Sequence, residues 1–110
     1  MNHDLDLKAQ VKQILKVAQE LAPGRSVELR IPPFAAIQCI GGTTHRSGTP
    51  PNVVEMSAET LLKLLENPVK WQQYCDLGSI SASGTNSNLG DLFAEVSKLV
   101  NSEGGSEHGK

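Results

Sequence analysis

The sequence predicts an α+β domain. Helical periodicity marks both ends of the chain, short alternating apolar runs fill the space between, and Pro and Gly punctuate the joins. A chain of 110 residues has room for one core. Its 38% hydrophobic and 20% charged residues, with a net charge of -2, are the composition of an ordinary soluble globular protein.

Leu7, Val11, Ile14, Ala18, Leu21 and Ala22 recur at steps of three and four, while Lys8, Lys12, Lys16 and Glu20 fill the opposite side, which predicts a first helix. Asp4 is its expected N-cap and Pro23-Gly24 its stop. Val27-Glu28-Leu29-Arg30-Ile31 alternates as a strand with Val27, Leu29 and Ile31 on one face, ended by Pro32-Pro33. The run from Phe34 to Gly41 is apolar on both alternating sets apart from Gln38, the pattern of an interior strand covered on both faces. A long polar loop, GTTHRSGTPPN, leads from Gly42 to a third strand at Val53–Met56.

Ser57 is the expected N-cap of a Leu-rich helix that carries Glu59 in its first turn. Asn67-Pro68 restarts the chain as a short helix, with Asn67 capping and Pro68 at the first helical position. Trp71, Tyr74 and Cys75 line its inner side and Gly78 closes it. Between Gly78 and Gly84 the residues alternate again, with Ile80 and Ala82 pointing one way and three serines the other, giving a fourth strand. The last helix begins near Asn88 and places Leu89, Leu92, Phe93, Val96, Leu99 and Val100 at helical spacing. Residues 1–100 are expected to form the single domain, and 101–110, NSEGGSEHGK, a disordered polar tail.

This order of elements, together with ETLLKLLENPVKWQQYCDLGSISASGTNSNLGDLF from Glu59 to Phe93, resembles the sterol carrier protein family. The segments VELRIPPFAAIQCIGG and HRSGTPPNVVEMS are similar to its small stand-alone bacterial members, so the resemblance covers roughly residues 4 to 100. It implies a twisted, mostly antiparallel sheet of about four to five strands with helices on one face, and an apolar tunnel for lipid-like molecules between the two. Carried over by position, the tunnel wall is Leu61, Leu65, Trp71, Ile80, Ala82, Leu92, Phe93 and Val96. The longer strand pair of typical members is replaced here by a short strand broken at Pro32-Pro33.

The implied function is non-enzymatic binding of a lipid or other hydrophobic small molecule; the alternative is an accessory or protein-interaction module with a filled core. A pocket at the low end of the usual range, about 300 Å³, would cost about 7 kcal/mol if empty and rigid, at roughly 24 cal/mol per Å³. That rivals the whole stability of a small domain, about 5–15 kcal/mol. The expectation is therefore a site that stays filled, or a last helix that moves as a lid on the Gly/Ser/Asn-rich segment 84–91.

The 41–52 loop holds the other candidate residues. Arg46 suits an anionic head group or a partner's carboxylate, and His45 adds a charge that varies near neutral pH, so both are placed at the mouth of the site. Cys39 and His45 are the one pairing that suggests a nucleophilic enzyme, but no acid falls in the loop to orient the histidine, and no enzyme is expected. Cys39 and Cys75 lack metal or redox spacing, and His3, His45 and His108 lie far apart, so no metal or cofactor is expected. No basic run or aromatic platform suggests nucleic acid. No leader and no membrane span are read, and buried free thiols suit a cytoplasmic location.

Overall fold

The computed structural model describes residues 3–42 and 52–108, with side chains over 5–42 and 52–101. Helix α1 spans His3–Leu21. It begins one residue before Asp4, which therefore lies inside the first turn and not at the cap. Strand β1 (Val27–Ile31) follows, then β2 (Ala35–Cys39) and β3 (Asn52–Met56). Helix α2 (Ala58–Glu66), a single 3-10 turn at Pro68–Lys70 and helix α3 (Trp71–Asp76) lead to β4 (Ile80–Ser83) and α4 (Gly90–His108).

The four strands form one sheet in the order β2-β1-β3-β4. The outer pairings, β1 with β2 and β3 with β4, are antiparallel, whereas the central pair, β1 with β3, is parallel. Val27, Leu29 and Ile31 are wholly buried on one face of β1, and Val54 and Met56 continue that face on β3. Glu28 and Arg30 occupy the opposite face, where the Arg30 guanidinium lies 3.0 Å from Glu28 and 3.7 Å from Glu55. Ion pairs this exposed to solvent contribute little to stability. The alternation of the sequence thus becomes one face under the helices and one open, charged face.

Strand β2 corrects the expectation of an interior strand: it is an edge. Only Cys39 on it is fully buried, and Ala36 is exposed. Two of its four apolar residues are alanines, whose small side chains carry little burial demand, so apolar character on both faces did not imply cover on both. The edge is blunted by α1, because Gln19 donates from Nε2 to the Gln38 carbonyl at 2.9 Å.

Ser57 caps α2 as expected, its Oγ accepting from the Thr60 N–H at 3.1 Å. Asn67 does not cap with its side chain. Its role is at the end of α2, where its backbone N–H donates to the carbonyls of Lys63 and Leu64. Gly78 closes α3 in the left-handed conformation at φ +82, with the N–H of Ser79 bonded to Tyr74 and that of Gly78 to Cys75, the paired bonds of a Schellman motif. Helix α4 runs past Val100 to His108 and so takes in most of the stretch expected to be a tail. Glycines in that stretch lower helix propensity by about 1 kcal/mol each without forbidding the conformation.

Candidate functional site

The sheet-facing sides of α1, α2, α3 and α4 meet β1, β3 and β4 in one continuous buried cluster. Six of the eight expected wall residues belong to it: Leu61, Phe93 and Val96 are wholly buried, and Leu65, Trp71 and Ile80 nearly so. Leu92 is partly buried against the same cluster. Trp71 and Phe93 stack with ring centroids 6.3 Å apart and planes at 23°, a contact worth about 0.5–1.5 kcal/mol beyond the area buried. Ala82 departs from the group. It is exposed, because β4 is an edge strand whose burial ends at Ile80. His45 and Arg46 lie outside the described residues.

A smaller recess of about 280 Å³ lies beside Trp71, between the Pro68 turn and the start of α4, and a larger one lies elsewhere. Residues of helices α1, α2 and α4 line an open groove of about 530 Å³. Ala9, Ile14, Leu62, Leu65 and Val100 supply its apolar surface. Gln10, Gln13, Glu66 and Asn101 supply the polar part. Leu65 is the one residue shared with the expected wall: it packs in the core and also reaches the groove.

Local bonds hold this groove in shape. Ser97, buried on α4, donates from Oγ to the Leu65 carbonyl at 2.7 Å, which satisfies one of the last carbonyls of α2. Asn101 in turn donates from Nδ2 to Ser97 Oγ at 3.0 Å. Ile14, Leu62 and Val100 were legible as separate helical stripes, but their convergence depends on how three helices distant in sequence cross.

The segment expected to hinge is tied down instead. Asn52 is almost wholly buried and donates from Nδ2 to the Ser26 carbonyl at 2.8 Å, while its Oδ1 accepts the Asn86 N–H at 3.0 Å. Ser87 donates to the Gly84 carbonyl at 2.9 Å, and Asn88 Oδ1 accepts the Gly90 N–H at 2.8 Å. Leu89, at 1% exposure, anchors the entry to α4 in the core.

Cys39, the thiol of the Cys-His pairing, is buried, and the loss of solvation raises its pKa to about 11. It is therefore protonated at neutral pH and is a poor nucleophile. Cys75 is partly buried, and desolvation followed by the nearby Asp76 charge pushes its pKa up as well. No helix among the described residues is long and apolar enough to cross a membrane.

A model of the bacterial sterol carrier protein (SCP) ortholog family matches residues 4–94 of this chain. The chain belongs to that family. No curated protein matches it. The match runs from α1 into the first turns of α4, so it takes in the whole sheet and the Trp71–Phe93 stack of this SCP ortholog. It stops short of Val100 and Asn101, which complete the groove.

Proposed function

We propose that this SCP ortholog is a non-enzymatic binder of a lipid-like or other hydrophobic small molecule, held in the groove between α1, α2 and α4. The observation that carries the reading is the groove itself. It has a volume within the usual range for small-molecule sites, about 300–1,000 Å³, and an apolar floor with a few amides at its rim. Family membership supports a carrier role. The sheet–helix interior supports it less, because the side chains expected to line a tunnel, Ala82 apart, belong to one packed cluster. Both described cysteines are free, which suits a reducing cytoplasm.

Titration with Nile red, a neutral apolar dye, tests the site. Saturable enhancement at one dye per chain is expected for the wild type, and its loss is expected in Ala9→Phe, which fills the groove from an exposed position on α1. Enhancement that Ala9→Phe leaves unchanged would move the site elsewhere. No saturable enhancement in the wild type would favour the accessory-module reading.

A further inference from the structure

The groove's polar rim carries an electrostatic bias. Among the described residues its lining includes one charged residue, Glu66, and no Lys or Arg. Glu66 takes part in none of the ion pairs among the described residues. Lys63, one turn earlier on α2, does not line the groove. Glu66 is also the last residue of α2, where the helix macrodipole places partial negative charge and stabilises a cation. The amides of Gln10, Gln13 and Asn101 can accept hydrogen bonds as well as donate them, and the Asn101 Nδ2 already donates to Ser97.

From this charge arrangement we propose that the ligand of the groove is a single-chain amphiphile with a cationic, amine-type head group. The apolar chain lies along Ile14, Leu62 and Val100, and the ammonium sits at Glu66 and the end of α2. A carboxylate head in the same place would face Glu66 and the negative end of the dipole with no cation among the described lining residues to offset them. The proposal rests on the groove being the binding site and adds the chemistry of the head group.

Displacement of Nile red by dodecylamine, dodecanol and dodecanoate, each below its micelle-forming concentration and at neutral pH, separates the two claims. The amine is expected to bind roughly three- to fivefold tighter than the alcohol, as a solvent-accessible ion pair supports. The carboxylate should be weaker than the alcohol by a similar factor. Added salt should shrink the spread, since the Debye length falls from about 10 Å at 0.1 M to about 3 Å at 1 M. Glu66→Gln should bring amine and alcohol together, whereas Glu20→Gln, an exposed acid outside the groove, should leave the amine preferred.

Binding of none of the three chains would contradict the groove itself. Equal or tighter binding of dodecanoate, or an amine preference that survives Glu66→Gln, would overturn the head-group assignment and leave the groove standing. Loss of the preference in Glu20→Gln to the same degree would also overturn it, because net charge and not Glu66 would then be the cause.

Discussion

Asn52 and Asn86 meet across the entrance to α4, the Asn52 Oδ1 accepting the Asn86 N–H at 3.0 Å. The same amide donates to the carbonyl and Oγ of Ser26 at 2.8 and 3.2 Å, so one buried side chain joins the start of β1, the start of β3 and the segment leading into α4. Gly84 permits this approach. It stands at φ +103, and a Cβ there would run into Asn52.

Truncating Asn52 leaves the Ser26 carbonyl and the Asn86 N–H without that partner. The Ser26 carbonyl is the buried orphan, and such a group costs about 1–3 kcal/mol, so Asn52→Ala should destabilise the protein by about that amount in urea unfolding. Amide exchange should accelerate across residues 84–89 before it does so in β1. An unchanged midpoint, with the same exchange pattern as the wild type, would show that the amide does not hold the segment.

Ser97 should matter to both stability and binding. Losing its bond to the Leu65 carbonyl in Ser97→Ala should cost about 1 kcal/mol. The Nile red affinity should fall as well, because Asn101 and the α2 terminus lose their common partner at the rim of the groove. Thermal unfolding and dye titration on the same variant check the two effects separately.

Phe93→Ala removes a wholly buried ring stacked on Trp71. Large-to-small changes at such positions cost about 3–5 kcal/mol. Trp71 emission should shift to the red in the variant as water gains access to the indole. A loss under 1 kcal/mol by roughly the same reckoning would mean that the core closes over the gap.

Cys39 makes stability fall at alkaline pH. Its thiol has a pKa of about 11 in the folded chain against the ordinary 9.0, so between these values the unfolded chain holds fewer protons than the native one. Stability therefore declines as pH rises through this window, by an amount on the order of 2 kcal/mol. The contribution is fully present below pH 9, the ordinary value. Urea midpoints measured from neutral to alkaline pH should fall less steeply in Cys39→Ala than in the wild type.

Much of the fold was legible in residue periodicity. The steps of three and four through Leu89, Phe93 and Val96, the alternation of Val27, Leu29 and Ile31, the Ser57 cap and the Gly78 stop each depend on neighbours close in sequence, and each stands in the structure, although Leu99 on the same stripe is exposed. Relations between distant elements were harder to read. The parallel pairing of β1 with β3 depends on how the chain crosses between β2 and β3, and it turns the apolar β2 into an edge. Asn52 looked like the end of a polar loop because burial of an amide becomes visible only with Ser26 and Asn86 in place. The groove was illegible for the same reason, since Ile14, Leu62 and Val100 are unremarkable members of three separate stripes.

The central claim is that ligand binds among the helices and not between helices and sheet, and amide chemical-shift mapping tests it directly. Titrating dodecanol into the isotopically labelled protein should move resonances of residues 9–14, 62–66 and 97–101, leaving Val54, Ile80 and the Trp71 indole in place. Shifts concentrated at Val54, Ile80, Phe93 and Trp71, with the groove residues unmoved, would contradict the account and return the site to the interior.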